Sequence, residues 1–367
     1  MNELEALLQL AGTPLLGSIK VRLLIQQFGS AKAALEADPF EIREFPGFGN
    51  KVVESMQKTL HQGIGRREMD LAARYGVAII PYTSPHYPKR LLEIPDYPVV
   101  LYVKGELKEC DQRSIAIVGT RNMSIYGGEM AEKIAYDLAG CGFTIVSGLA
   151  RGIDTAAHRG ALRRGRTVAV IGSGLGDIYP QENIPLSEMI SAQGATMSEF
   201  PMMTPPDRQN FPQRNRIVSA MTLGTLLIEA PRKSGAMITM EKGLSQGRKL
   251  FALPGRVDSE SFQGNHYLIK KGLAQLIENA QDIIESYGDL FQGLSLVGSK
   301  NSMGLRVILE PEEVQFLNLL PKHEVGFDDI AQMTKLPIAK LNVLIMSLIM
   351  KKAIKEFPGK LYKRIST

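Results

Sequence analysis

The sequence lacks several features that identify common classes of protein. Its 367 residues include two cysteines, Cys110 and Cys141, which form neither a disulfide framework nor a metal-ligand spacing. The longest apolar run, at 341–350, is about half of the ~20 residues that a membrane-spanning helix needs. The first five residues are acidic and lack the apolar core of a signal peptide. We therefore expect a protein of the reducing cytoplasm with no metal, no cofactor and no membrane contact.

A large excess of one charge is also absent. The net charge is +5, from 43 basic and 38 acidic residues. A surface that binds nucleic acid would therefore have to come from local clusters of lysine and arginine. Hydrophobic residues make up 44% and charged residues 22% of the chain, which is typical of globular proteins and argues against long disorder. The length favours two or three domains.

The pattern of the sequence divides the chain into four segments. Residues 1–75 have helical spacing, 76–287 contain the main domain, 288–310 resemble a linker, and 311–367 form a small helical unit that ends in short strands. Strands are predicted at 114–119, 143–147, 167–171, 195–198, 223–230 and 249–253, and helices at 129–140, 155–164, 185–193 and 239–247. This alternation predicts an α/β fold with a Rossmann-like, doubly wound and mostly parallel sheet.

In such a sheet, ligands bind where the strands end at their carboxyl side. The loop after the first predicted strand is rich in glycine and contains Arg121, which can hold a phosphate in a bidentate contact. A tight turn with a surface arginine is the alternative interpretation. The GxGxxG fingerprint of dinucleotide sites does not follow this strand, which argues against NAD.

Two further loops give weaker signals. The loop at 147–154 precedes a helix, and Asp154 could simply cap that helix. His158 could act as a base, but no nucleophile motif lies near it, and a structural role is favoured. The loop at 171–176 resembles a dinucleotide loop, but Tyr179-Pro180 follows where a long helix should begin.

The segment 205–216 is the most informative. It places Arg208, Arg214 and Arg216 around Phe211 in a stretch that we expect to be a loop stiffened by prolines. Arginine binds phosphates, and an exposed aromatic ring stacks on an unpaired base for ~1–3 kcal/mol. Because a duplex hides its base faces, this combination suits a single strand. The alternative places Phe211 in the core with solvated arginines around it. The loop at 229–236 adds two positive charges before a helix and is another possible anion site.

Four strings in this order resemble one known family. They are IVGTRN at 117–122, SGLARGID at 147–154, NFPQRNR at 210–216 and LPG at 253–255. They closely resemble the DNA-processing protein A family (DprA/Smf) over about residues 75 to 285. The resemblance implies a homodimer without enzymatic activity that binds single-stranded DNA of any sequence. It also implies protection of incoming DNA and loading of the RecA recombinase during natural transformation and recombination.

The resemblance also assigns site residues. Arg121 resembles the family's phosphate-gripping arginine, Phe211 its base-stacking aromatic, Arg208 a basic contact, and Arg214 and Arg216 a basic wall. The residues predicted to bind single-stranded DNA or its phosphates are Gly119, Thr120, Arg121, Asn122, Ser147, Gly148, Arg151, Gly152, Arg208, Phe211, Arg214, Asn215, Arg216, Ser234 and Gly235. The predicted dimer interface contains His266, Leu268 and Ile269. Relatives usually carry a Cys-His or similar pair there, where this chain has Asn265-His266.

The flanking segments resemble smaller domains of the same family. Residues 1–75 resemble a sterile-alpha-motif or helix-hairpin-helix domain, and a nearly balanced charge favours a packing role over DNA binding. Residues 311–367 resemble a winged helix. Its third helix, at 338–350, is mostly apolar, which favours a protein contact, or a weak phosphate contact through Lys360, Lys363 and Arg364, over reading of DNA sequence.

Two other functions stay open at this point. Related Rossmann-like enzymes cleave nucleoside monophosphates with a Pro-Gly-Gly-x-Gly-Thr-x-x-Glu string. Residues 223–229 keep the Gly-Thr and Glu229 but lack the paired glycines. No metal cluster, nucleophile–base pair or Walker lysine accompanies them. The winged helix would also suit a transcription factor, but its apolar third helix argues against that function.

Overall fold

The computed structural model of this chain describes residues 1–288, 311–321, 323–351, 353–357, 359 and 361–364. The described residues up to 288 belong to one compact unit, and those from 311 onward belong to another. The predicted linker lies outside the described residues except for Gly288, and so does Lys360.

The first unit begins with helices. They are α1 (Glu3–Ala11), α2 (Ser18–Phe28), α3 (Ala31–Glu36), α4 (Pro39–Arg43), α5 (Asn50–Leu60) and α6 (Ile64–Arg74). Gln9 of α1 is buried, and its amide donates to the Thr59 carbonyl (2.6 Å) and accepts from the Gly65 amide (3.2 Å). A buried amide that is fully hydrogen-bonded costs little, and these two bonds tie α1 to α5 and α6.

These helices share one apolar core with the loops of the sheet. Leu149 and Met202, both fully buried, pack in the same cluster as Leu8 and Leu24. The buried carboxylate of Glu68, on α6, accepts a hydrogen bond from the Met202 amide at 2.8 Å. The N-terminal helices therefore contact two loops of the sheet directly.

A nine-stranded sheet forms the centre of this unit. In chain order its elements are β1 (Ala78–Pro81), β2 (Val100–Gly105), β3 (Ser114–Val118), α7 (Ile125–Gly140), β4 (Thr144–Ser147), α8 (Ile153–Leu162), β5 (Thr167–Val170), α9 (Ile184–Gln193), β6 (Ala195–Ser198), α10 (Asn210–Ala220), β7 (Gly224–Leu227), α11 (Gly235–Ser245), β8 (Lys249–Ala252), α12 (Gln263–Lys270), β9 (Gln275–Leu276) and α13 (Ala280–Glu285). The strand order is β1-β2-β6-β5-β4-β3-β7-β8-β9. Strands β3 to β9 pair in parallel, and β1 and β2 add an antiparallel edge.

Both faces of the parallel strands are covered by helices. Along β3, Ile115 and Ile117 pack in one core with Leu138 of α7, whereas Ala116 and Val118 pack in the other core. Alternate residues of a strand face opposite sides, so an uninterrupted apolar strand requires helices on both faces. The prediction of an α/β fold with a mostly parallel sheet is confirmed.

The strand order reverses at β3. Strands β4, β5 and β6 lie on one side of β3, whereas β7, β8 and β9 lie on the other. The connections that leave β3 and β7 therefore diverge and open a crevice beyond the carboxyl ends of these two strands. Doubly wound sheets bind their ligands at such a point.

Several predicted boundaries differ from the structure, and the three largest differences lie at the amino ends of helices. The expected loop at 205–216 becomes helix α10 from Asn210 onward, because Pro212 lies in the first helical turn, where its missing N–H has no intrahelical partner to lose. Helix α7 begins at Ile125, before the predicted 129, because the Ser124 hydroxyl caps it by accepting from the Gly127 amide (3.0 Å). Helix α11 likewise begins at Gly235, capped by Ser234.

The second unit is small. It contains α14 (Pro311–Leu319), β10 (Val325–Gly326), α15 (Phe327–Thr334), α16 (Ile338–Met350), β11 (Ile354–Phe357) and β12 (Leu361–Arg364). Strand β12 pairs antiparallel with both β10 and β11. Leu341 and Leu348 of α16 are buried, whereas Val343 and Met346 are exposed. Within the described residues of the whole chain, no helix is long and apolar enough to cross a membrane.

His158 of α8 is completely buried against β5. Its Nδ1 lies 2.7 Å from the Thr167 hydroxyl, which donates its own hydrogen to the Ile145 carbonyl. Nδ1 must therefore carry the proton and donate it, and Nε2 is left bare, without a partner among the described residues. Burial, assisted by the charge of Arg214, lowers the pKa of His158 to about 3. The ring is a neutral part of the core.

We predict that His158 makes the protein less stable in acid. An unfolded histidine takes up a proton below its ordinary pKa of 6.5, whereas the folded ring stays neutral down to about pH 3. The unfolded state therefore binds more protons in this window, and the free energy of unfolding should fall by about 2 kcal/mol between about pH 7.5 and pH 5 from this residue alone. Urea unfolding of the wild type and of His158→Asn, followed by circular dichroism, measures the difference. Parallel pH profiles for the two proteins would contradict the assignment.

Candidate nucleic-acid interface

A cavity of about 550 Å³ lies in the crevice beyond β3 and β7. The loops after β3, β4 and β7 and the first turns of α10 line it. The residues predicted from the sequence that line it are Gly119, Thr120, Arg121, Gly148, Arg208, Phe211, Arg214, Asn215, Ser234 and Gly235. Residues that are far apart in the sequence thus converge on one cavity.

The loop after β3 is held by backbone hydrogen bonds on both sides. The Thr120 amide donates to the Glu229 carbonyl (2.7 Å), and the Ile153 amide donates to the Thr120 carbonyl (3.2 Å). Arg121, the next residue, is exposed, and no carboxylate pairs with it in the described part of the chain. A fixed loop therefore presents a guanidinium group that is available to a ligand.

Gly152 brings the loop after β4 against the loop after β3. Its φ angle is +74°, and an added Cβ would lie 2.4 Å from the Thr120 carbonyl oxygen and 2.6 Å from that of Arg121. A side chain at this position would strain the backbone and push the two loops apart. Gly152 therefore allows the backbone of Arg121 to take its observed position, although Gly152 does not line the cavity itself.

Asp154 stabilises the loop after β4. The sequence suggested that it caps α8, but this is wrong, because α8 begins after Gly152 with no side-chain cap. Its Oδ2 instead accepts hydrogen bonds from the amides of Gly148 (3.1 Å) and Ala150 (3.3 Å). Burial raises the pKa of this carboxyl, and the charge of Arg214 opposes that rise.

Arg214 places a positive charge in the wall of the cavity. It is 4% exposed, and its Nη1 donates to the Gly148 carbonyl at 2.6 Å and also to the Val170 carbonyl. Burial lowers the pKa of Arg214 to about 10, so the group stays charged at neutral pH. The two carbonyls fix the guanidinium, so little conformational entropy remains to be lost when an anion binds.

The beginning of α11 forms another part of the wall. Ser234, Gly235 and Thr239 line the cavity, and the side-chain amide of Asn215 donates to the Gly235 carbonyl at 3.2 Å. The amino end of a helix carries a partial positive charge from its aligned peptides. Among the described lining residues Asp154 is the only carboxylate, so the cavity favours an anion.

Phe211 lines this positive cavity, and its side chain is half-buried. One edge of its ring packs against Gly172, where an added Cβ would lie 2.8 Å from the ring. The guanidinium carbon of Arg121 lies 5.2 Å from the ring centroid. The Tyr179 ring lies 6.0 Å from that of Phe211, and sequence analysis missed this neighbour. Exposed ring surface next to arginines can stack on a flat, anionic ligand.

The other predicted residues do not line this cavity. Asn122 lies in an exposed turn, and Ser147 is buried and donates to the Ile117 carbonyl (2.6 Å). Arg151 pairs with Glu182 beside the cavity. Arg216 is buried and binds Glu199 and Asp96, the latter at 3.3 Å, so its guanidinium is held within the protein and lies outside the cavity.

The residues proposed for a dimer interface lie on α12. Leu268 is only 4% exposed and packs in the core of its own chain, so its side chain is not available to a second copy. His266 contacts the Gly255 carbonyl at 3.1 Å, and Ile269 is half-buried.

Asn265 precedes them and is completely buried. Its oxygen accepts from the Ala230 amide, and its nitrogen lies within 3.0 Å of the carbonyls of Leu227, Ile228 and Leu253. This one side chain joins the ends of β7 and β8.

Glu229 has a structural role in this fold. It is 1% exposed, and its Oε2 accepts hydrogen bonds from the Ser124 amide (3.0 Å) and hydroxyl (2.8 Å) at the start of α7. It does not line the cavity. The geometry therefore gives no support to Glu229 as the remnant of a hydrolase active site.

Comparison with known proteins identifies the family. The family described as DNA recombination-mediator protein A matches residues 78–288. Protein Smf of Synechocystis sp. is 32% identical, with 95% of each chain covered. Protein Smf of Escherichia coli is 43% identical over 57% of this chain and 56% of its own.

Two solved structures are similar in fold and in sequence. DNA processing protein A of Streptococcus pneumoniae has a TM-score of 0.67 and 31% identity, covering 78% of this chain and 98% of its own. DNA processing protein A of Helicobacter pylori, solved for its single-stranded DNA binding mode, has a TM-score of 0.53 and 31% identity, covering 57% of this chain and 95% of its own. The chain therefore belongs to the DNA recombination-mediator protein A family.

Proposed function

We propose that this protein binds single-stranded DNA without sequence preference in the crevice beyond β3 and β7. One observation carries the proposal: Arg121, Arg208 and Arg214 line the same cavity as the partly exposed ring of Phe211. The exposed Arg121 and Arg208 can contact phosphates, the buried charge of Arg214 adds to the positive potential of the wall, and the ring can stack on a base. The arginines of the cavity can contact the phosphates of any sequence, because the sugar-phosphate backbone is the same at every nucleotide.

The family supports a proposal for the biological role. The H. pylori relative is described by its single-stranded DNA binding mode, and relatives in Bacillus subtilis and S. pneumoniae are named DNA processing proteins. We infer that this protein acts in the cytoplasm as a non-enzymatic homodimer that protects incoming single strands during natural transformation. In this role it loads the RecA recombinase onto the strand for recombination.

The flanking segments are assigned accessory roles in this proposal. Residues 1–75, as a helix-hairpin-helix-like domain, support the loops of the main domain at 76–287. Residues 311–367, as a winged-helix-like domain joined by the linker at 288–310, make a protein contact through the exposed apolar side chains of α16, such as Val343 and Met346.

We predict that Arg121 contributes to binding of every single-stranded sequence. Arg121→Ala should weaken binding of labelled poly-dT about tenfold, and should reduce the slope of log affinity against log salt by about 0.7, as expected for one lost phosphate contact. Fluorescence anisotropy over a range of salt concentrations measures both quantities. Arg159→Ala is the matched control, because Arg159 is an exposed arginine that does not line the cavity. Unchanged affinity in Arg121→Ala, or equal affinity of the wild type for single strand and duplex, would contradict the proposal.

We predict a different effect for Phe211. Phe211→Leu keeps an apolar side chain but removes the flat ring. The binding free energy for poly-dT should therefore become less favourable by ~1 kcal/mol or more. The salt dependence should not change, because no charge is lost, and Phe211→Tyr should bind like the wild type. The same anisotropy titrations provide the readout. If Phe211→Leu lowers the melting temperature while its affinity stays that of the wild type, Phe211 is a core residue and not a stacking platform.

A further inference from the structure

A second, smaller cleft adjoins the cavity. It is lined by Arg121, Gly148, Ala150, Arg151, Tyr179 and Phe211, among others, and the first three of these and Phe211 also line the cavity. The exposed ring of Tyr179 lies beside that of Phe211. The cleft therefore brings Tyr179 and Arg151 next to residues that line the cavity.

In the free protein, Arg151 already holds an anion. Its Nε donates to Oε1 of Glu182 at 2.8 Å, and its Nη2 donates to Oε2 at 2.7 Å. This is the bidentate geometry in which a guanidinium also binds the oxygens of a phosphate. The hydrogen bonds from Arg151 hold the pKa of Glu182 below its ordinary value, so the carboxylate stays charged.

The pair is accessible to solvent and therefore exchangeable. The Arg151 and Glu182 side chains are 56% and 55% exposed. An exposed ion pair contributes little free energy, because water and salt screen it. A phosphate arriving along the cleft can therefore replace the carboxylate without first being desolvated.

The position of Glu182 is fixed by its neighbour. The side-chain amide of Asn183 is buried and donates to the Leu149 carbonyl and to the Thr155 hydroxyl, both at 2.9 Å. The Thr155 hydroxyl donates in turn to the Ala150 carbonyl at 2.7 Å. These bonds fix the backbone that carries Glu182 to the same loop that carries Arg151, so the two charges are kept within reach of each other.

We propose that the Glu182 carboxylate binds the Arg151 guanidinium in the place of a DNA phosphate, and that a bound single strand displaces this carboxylate. This inference rests on the proposed function and extends the binding site beyond the cavity to Tyr179 and Arg151. The carboxylate keeps Arg151 occupied until a strand long enough to fill the cavity and the cleft brings a phosphate to it. Glu182 thereby lowers affinity and makes it depend on strand length.

The first test removes the competing charge. Glu182→Gln should raise the affinity for poly-dT about two- to fivefold, the range that corresponds to one exposed ion pair. An oligonucleotide too short to reach Arg151 should bind wild type and variant equally. Glu132→Gln is the matched control, because Glu132 of α7 pairs at 2.6 Å with Arg163, the residue that follows α8, and lines neither the cavity nor the cleft. Its affinity should equal that of the wild type, and an unchanged affinity in Glu182→Gln would overturn the inference.

A double-mutant cycle separates displacement from simple repulsion. Arg151→Ala should weaken binding, and Arg151→Ala/Glu182→Gln should bind like Arg151→Ala alone, because Glu182 acts only through Arg151. An equal gain from Glu182→Gln with and without Arg151 would show that Glu182 merely repels DNA, which overturns the inference while leaving the proposed function intact. Failure of the wild type to bind poly-dT would overturn the proposed function itself. Circular dichroism of each variant confirms that the comparison is made between folded proteins.

Discussion

Backbone groups beyond the ends of parallel strands must find hydrogen-bond partners outside the sheet, and the structure of this protein depends on how that requirement is met. Asn265 alone binds four backbone groups at the ends of β7 and β8. Arg214 binds carbonyls after β4 and at the end of β5, and Asp154 binds two amides after β4. Two of these three side chains, Arg214 and Asp154, therefore also line the cavity.

This arrangement explains how a protein of small net charge can offer an anion site. Arg214 is fixed by carbonyls, and Arg121 is presented by a loop that is itself held on two sides. Each charge is thus positioned before a ligand arrives, so the cost of ordering it has already been met during folding. A few positioned charges in one crevice give a stronger local field than the same charges spread over the surface.

Much of the fold was predictable from the sequence, because alternation of short apolar strands with helices depends on local periodicity. The glycine-rich loops were predictable for a different local reason, because a glycine such as Gly152 signals a close approach of two backbones that only glycine permits.

Which side chains of a helix are buried was harder to predict. Arg214 and Arg216 are two residues apart and therefore point to different sides of α10, and only the neighbours present in three dimensions decide that one lines the cavity and the other binds Glu199. Tyr179 was missed because its proximity to Phe211 depends on tertiary packing. The same holds for Asn265, whose four partners lie at or beyond the ends of β7 and β8.

The contact of Leu149 with the N-terminal helices links two parts of the chain that the sequence pattern separates. Leu149 lies in the loop that carries Gly148 and Arg151, yet its side chain is buried in the core formed by those helices. The Glu68 carboxylate of α6 accepts a hydrogen bond from the amide of Met202, which lies in the segment between β6 and Arg208. Displacing these helices would therefore deform both loops, and thermodynamic reciprocity requires that any ligand held by the loops oppose that displacement with the same coupling free energy. The helices outside the family-matched region thus belong to the mechanical framework of the cavity.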